Sequence, residues 1–600
     1  MKMTCLRAFV LWSLLVCAAG TPVFGGSTAL MSVDEIRAGM KGVGKSVFSG
    51  TKIESFDVEI LDVVRNQSPG HDAIMARVSG GPLPLEESGV LGGMSGSPIY
   101  IDGKLIGALA FMPALFPKDT IVGITPIHEM LRDAERARST TGASAQHAVH
   151  GAGPFHHILT PLVVSAVDRQ VLAFMQDQFA AWNMMPVQGG SGSYRAADKQ
   201  LDTDLQPGSA VGVQLIRGDM AMSGIGTVTY RNGKHIIAFG HPMFFAGDVN
   251  MPMTSAYVHV AVSNYHKSFK MASSTAVVGT ILGDRLTGIS GQLGMQPRLL
   301  PLSVSIHSDS VSPADRHYHF ELVDHRIFSP LLIKIAGLHS LLTTEKGLGE
   351  LTIQTRLTVD FDDAPSLTTE DYFSGSSGPV SAILGAFAPF DMLMNNQLES
   401  VDVRRVSLDM DLKNALRTAE ITGLRVRNNI VHPGEEIDAT VTLNPYNRNE
   451  MQITGRLTIP EEAHQGPLQL FACDATMTSH FDRTRAQAKF FPRTVEQLKE
   501  RLQERLSTNT VVLFLFQLKP GAVVQGQELP SPPVSMLSLM SSSRTSTGKN
   551  SLTHGNIIAR RMIPTQHAVS GCAVLPLQVD GQPTLTRQIQ DIFIRGEHAE

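Results

Sequence analysis

The chain has 600 residues, 42% of them hydrophobic and 18% charged, with 50 Lys and Arg against 55 Asp and Glu. That length exceeds what one hydrophobic core can serve and implies about three or four folding units. A formal charge of -5 leaves no basic footprint, so nucleic acid is not expected as a partner.

Lys2 and Arg7 introduce an apolar run, Ala8 to Ala19, that closes in small residues before Gly25 and Gly26. This is the pattern of a secretory signal peptide, placed at 1–26. The run is shorter than the roughly 20 residues that span a bilayer, and no later segment is long and apolar enough. The mature chain is therefore expected without a membrane span, exported to the periplasm or the exterior. Cys17 leaves a lipoprotein as the alternative, although Val16 stands where a small residue would precede a lipidated cysteine. Beyond the signal region only Cys473 and Cys572 remain, either as a disulfide or as two buried thiols. With no CxxC pair and no HExxH helix, neither a metal nor another cofactor is expected, and the methionines read as core filler.

From Gly39 to Met112, short β-branched runs alternate with glycine, which reads as strands. Asp102-Gly103 between two apolar runs signals a tight hairpin. A helix is expected over Ile127 to Arg138, closing a first lobe at 27–138. A linker with a helical insertion, Arg169 to Trp182, follows over 139–206, and a Gly/Ser loop near Gly189 to Ser193. A second strand-rich lobe covers 207–307, with another hairpin at Asn232-Gly233 leading into Phe239-Gly240-His241-Pro242. Gly42-Val43-Gly44 and Gly224-Ile225-Gly226 open runs of similar character, as two small β-barrels flanking a cleft would require. A connecting region, 308–400, holds a buried helix at Pro330 to Thr344 and a loop at Asp362 to Gly378. The last part, 401–600, alternates like a β-sandwich, with a helix at Thr494 to Leu506 and a surface loop at Ser531 to Lys549. The expected fold is mainly β: a two-lobed region of chymotrypsin-like barrels, then a sandwich-like module.

Gly93-Met94-Ser95-Gly96-Ser97-Pro98 has the make-up of a nucleophile loop. Its glycines permit a tight turn, Ser95 supplies a hydroxyl, and the amides of Gly93 and Ser95 can face an oxyanion. Ser97, directly before a proline, is the weaker nucleophile. The same segment would also serve as a plain glycine-rich turn. Among the histidines, His241 stands out because it follows a hairpin and lies between Gly240 and Pro242; a lone histidine is otherwise more often structural.

These segments, with Gly39 to Gly44, Ser79-Gly80-Gly81-Pro82, Ile101 to Gly107, Gly123 to Pro126, Gly226 to Thr229 and Gly288 to Gly294, resemble the SpoIVB family of serine peptidases. The resemblance implies Ser95 as nucleophile, His241 as general base, a protein or peptide substrate, and self-cleavage as a form of regulation. Two features depart from the family. Its histidine precedes its serine, whereas here Ser95 comes first, as in a permuted domain. Its acidic member lies shortly upstream of the serine, where this chain has Ser79 and Gly80; Asp248 and Asp72 are the substitutes. The expectation is an exported serine endopeptidase working through an acyl-enzyme. The rivals are an inactive relative that binds peptides or envelope proteins in the same cleft, and a structural envelope component. The sequence carries no signal of oligomeric state.

Overall fold

The computed structural model describes residues 28–113, 119–139, 156–189, 204–309, 314–345, 350–375, 378–530, 532–541 and 550–580. The signal region, the linker before His156 and most of the Gly/Ser loop near Gly189 lie outside them.

The first unit is a closed barrel of β1 (Lys41–Val47), β2 (Ile53–Ser68), β3 (His71–Ser79), β4 (Pro98–Ile101), β5 (Lys104–Met112) and β6 (Ile121–Pro126). The strand order is β4-β1-β2-β3-β6-β5, and β4 pairs with β5 to close it. Alternation drives this: Phe56, Val58 and Ile60 of β2 and Ile74, Ala76 and Val78 of β3 point into one core. The β4–β5 turn is Asp102-Gly103, both residues at positive φ (49° and 76°), as the sequence predicts.

β7 (His156–His157) lies on the outer edge of β5, and β8 (Thr160–Ser165), the helix Arg169–Phe179 and β9 (Met184–Gly189) lead into a second barrel. That barrel comprises β10 (Ala210–Gly218), β11 (Met222–Asn232), β12 (His235–Ala238), β13 (Gly247–Val262), β14 (Phe269–Arg285) and β15 (Gly288–Leu293). Its order is β10-β13-β14-β15-β12-β11, closed by a β10–β11 pair. The hairpin at Asn232 turns one residue later than its sequence suggests: Asn232 pairs with His235, so Gly233 and Lys234 form the turn and only Gly233 is at positive φ.

Beyond β10 the same sheet continues through β16 (Leu299–Ser308), β17 (Asp315–Val323), β18 (Leu351–Phe361), β19 (Leu367–Gly375) and β20 (Val403–Lys413). The helices Ser329–Thr344 and Gly378–Met394 share the second barrel's hydrophobic core. Two expectations change here. The segment read as a loop over Asp362 to Gly378 contains β19, whose Leu367 and Tyr372 are buried while its acidic residues lie between them. Val403–Lys413, expected in the sandwich, pairs with β16 and β18 instead, because its inward side chains Val406, Leu408 and Met410 complete the barrel-side core.

The sandwich begins at Thr418, with one four-stranded and one five-stranded sheet enclosing a core that includes Ala439, Val441, Leu470 and Leu513. Cys473 and Cys572 sit opposite each other on adjacent antiparallel strands and form a disulfide. Part of the stretch expected as a loop from Ser531 forms the helix Val534–Ser541. Among the described residues no helix is long and apolar enough to cross a membrane.

Candidate active site

The serine loop enters β4, and every carbonyl along it is occupied. Gly92 O accepts from Lys270 N at 3.0 Å, Ser95 O from Thr227 N at 2.9 Å, and Met94 O from Ser97 N at 2.9 Å. Gly93 O accepts from Thr227 Oγ1 at 2.9 Å, and Gly96 O from Thr229 Oγ1 at 2.7 Å. Backbone donors are used unevenly. The amides of Gly92, Met94, Gly96 and Ser97 are all bonded, whereas those of Gly93 and Ser95 donate to nothing among the described residues. Buried amides are normally satisfied, so two free ones on one loop stand out, and they are the two expected from the sequence to face an oxyanion. Gly93 and Gly96 both sit at φ +93°, and a Cβ on Gly96 would collide with Thr227 O and Phe239 N. Only glycine fits there.

His241 follows two consecutive residues at positive φ, Phe239 (73°) and Gly240 (70°). A bulky residue in that region is strained, and such strain concentrates at functional sites. Phe239 is held there because its amide donates to Thr227 O at 3.2 Å and its ring fills the space beside Gly226. Thr227 thus connects directly to both Ser95 and Phe239. His241 is 2% exposed, and burial pulls its pKa down to about 3, with a further contribution from His157, which stacks on it at 5.0 Å between ring centroids. It is therefore neutral near pH 7.

His241 Nδ1 lies 2.8 Å from Pro242 O. A carbonyl can only accept, so Nδ1 carries the proton and Nε2 presents a lone pair. In a serine triad a carboxylate normally fixes that tautomer. Here the neighbouring main chain does so. Ser95 Oγ and His241 Nε2 are both buried without a hydrogen-bond partner, and they do not bond to each other in this closed arrangement. A buried hydroxyl donor and a buried imidazole acceptor are thus each left without a partner, on loops that approach each other at Gly96 and Phe239, and each carries the energetic cost of an unmade hydrogen bond.

The carboxylates proposed from the sequence are elsewhere. Asp248 pairs with Arg285 at 2.5 Å, and Asp72 pairs with Arg65 at 2.8 Å. Neither forms a hydrogen bond with His241 among the described residues, where the ring's bonded partner is Pro242 O. Two buried ionisable groups went unnoticed in the sequence. Asp284 accepts from the amides of Met243 (2.8 Å), Phe244 (2.7 Å) and Ala246 (3.3 Å), locking the turn that leaves His241; burial raises its pKa to about 6. Lys270 is wholly buried, burial lowers its pKa to about 7, and Nζ donates to Ser46 Oγ at 2.8 Å. Ser46 in turn lies 3.0 Å from Ser97 Oγ, whose hydroxyl donates to Met94 O at 2.6 Å. The signal for Asp284 was a charged residue inside an apolar strand, and for Lys270 a lysine next to the hairpin end; neither spacing points to His241. Among the described residues no cluster of His, Cys, Asp and Glu could hold a metal.

Residues 23–128 match the family model for SpoIVB peptidase S55. The match covers the first barrel with Ser95 and stops before His241, and the chymotrypsin-like two-barrel fold agrees with it. The matched family is one of serine peptidases, which are hydrolases acting on proteins. No curated protein and no solved structure matches the chain.

Proposed function

We propose that the protein is an exported serine endopeptidase in which Ser95 attacks the substrate carbonyl while His241 Nε2 takes its proton. The observation that carries this reading is the pair of unbonded amides, Gly93 and Ser95, beside an orphaned Ser95 hydroxyl. As the tetrahedral intermediate forms, those amides would hold its oxyanion. His241, now an imidazolium, would be stabilised by Pro242 O at Nδ1, and it would return the proton to the leaving amine. Water would then release the acyl-enzyme by the same route in reverse. Export is supported by the Cys473–Cys572 disulfide, since such bonds persist in oxidising compartments.

One observation favours the second reading, an inactive relative that binds peptides. Ser95 is 0% exposed and, among the described residues, no carboxylate is hydrogen-bonded to His241, so the serine is shielded and the usual acid is not in place. A fluorophosphonate probe decides between the two. Labelling that maps to Ser95 and disappears in Ser95→Ala supports the peptidase. Protein that binds peptides but is never labelled supports the binder.

A further inference from the structure

A cleft of about 680 Å³ opens beside the serine loop, between the 83–92 segment, β7 with the residues after it, and the tip of the β13–β14 hairpin. It adjoins both halves of the candidate site. Gly92 lies on its wall, and Gly93, whose amide donates to nothing among the described residues, is the next residue along. His157 also lines it and stacks on His241. Half-buried Leu83, Met112, Ile121 and Leu159 face the same space. Partly exposed apolar side chains converging in one concave site are the usual lining for an apolar ligand group. The exposed rim carries Glu86, Glu87 and Lys267, all in contact with solvent.

We propose that this cleft is the specificity pocket, and that it takes a large apolar side chain, of the size of Leu, Met or Phe, from the residue whose carbonyl sits at the Gly93 and Ser95 amides. The inference rests on the peptidase reading above. Side chains such as Leu83, Met112, Ile121 and Leu159 gain transfer free energy from an apolar group packed among them, and a charged group there would lie away from the solvated glutamates and lysine of the rim. Pockets of this kind discriminate by roughly ten- to a few-hundredfold.

The test uses the mature protein and a set of peptides identical except at that residue, carrying Leu, Met, Phe, Gly, Asp or Lys. The expected result is at least about a tenfold higher kcat/KM for the three apolar peptides than for the Gly, Asp and Lys peptides. Leu159→Trp, which fills the cleft, should move the preference from Phe to smaller residues, and Met112→Ala, which widens it, should move it towards Phe. A melting curve and fluorophosphonate labelling of Ser95 accompany each variant. Equal kcat/KM across the set, or preferences that neither variant moves while Ser95 is still labelled, would overturn the pocket and leave the peptidase reading standing. Absence of Ser95 labelling in the unmodified protein would overturn the reading itself, and the specificity with it.

Discussion

The amide of Thr227 donates to the carbonyl of Ser95 at 2.9 Å, and the carbonyl of Thr227 accepts from Phe239 two residues before His241. One residue of the second barrel thereby sets the position of both loops, although Ser95 belongs to the first. The barrels are thus registered to each other by main-chain hydrogen bonds at the point where the chemistry is proposed, and four consequences can be measured.

Ser95→Ala should abolish hydrolysis, by about a thousandfold or more, because the hydroxyl is the proposed nucleophile. It should not cost stability, since Ser95 Oγ makes no hydrogen bond to lose. A melting temperature equal to or slightly above that of the parent is expected, within about 1 kcal/mol. His241→Ala should match it in activity, and the double variant should be no worse than either single one. A marked loss of stability in Ser95→Ala would show that the hydroxyl braces the turn.

Gly96→Ala and Gly93→Ala separate two uses of glycine. Both sit at φ +93°, but a Cβ on Gly96 meets backbone of the second barrel, whereas one on Gly93 meets only Lys270 side-chain carbons at 3.4 to 3.6 Å. Gly93→Ala should cost about 1 to 2 kcal/mol of backbone strain. Gly96→Ala should cost about 3 kcal/mol or more, because the barrels must part. Urea unfolding of the two variants checks the order, and equal costs would contradict it.

Asp284→Asn should lower kcat more than it raises KM, because the carboxylate touches the turn after His241 and no substrate. An amide oxygen accepts from these donors less strongly than a carboxylate, a loss of about 1 to 3 kcal/mol that removal of the buried charge offsets above pH 6. The pH dependence follows in sign. With a folded pKa of about 6 against an ordinary 3.8, the native state binds the extra proton, so Asp284 makes stability fall as pH rises from 3.8 to about 6. That contribution, on the order of 3 kcal/mol, should be absent in Asp284→Asn. Unfolding titrations of both proteins across this window measure it.

Lys270→Met should stabilise the protein at pH 6 and below. The folded pKa of Lys270 is about 7 against an ordinary 10.5, so the unfolded state binds more protons between those values and stability rises with pH across them. Below pH 7 the full cost of a buried charge is present, on the order of 5 kcal/mol. Methionine removes that cost while giving up one bond to Ser46. The rise between pH 7 and 10.5 should disappear in the variant, and a slope that persists would place its source elsewhere.

Much of the fold was legible in local chemistry. Asp102-Gly103 dictates a tight turn wherever it stands, alternation in β2 and β3 reveals their inward faces, and Gly93 and Gly96 mark a loop with unusual φ because only glycine adopts it without strain. Ser95 and His241 could be singled out for the same reason: each lies in a short segment whose glycines and prolines restrict the backbone. The limits of the sandwich were not legible, because an alternating strand such as Val403–Lys413 looks the same whichever sheet it joins; its partners, β16 and β18, decided that. The orienting group of His241 was sought as an aspartate, and no spacing rule could reveal that a neighbouring carbonyl does the task.

What the sequence determined by itself is therefore what depends on neighbours along the chain: strands, turns, the serine loop, and the identity of its hydroxyl. Only the tertiary structure decided what depends on approach through space. Ser95 and His241 lie far apart in the chain, and Thr227 joins their loops by two main-chain hydrogen bonds. Asp284 and Lys270 are ordinary charged residues in sequence and acquire shifted pKa values only because the packed barrels remove water from them, Lys270 lying against Ser46 and Gly93 of the first. Desolvation is a property of the assembled core, and a linear pattern of residues does not contain it.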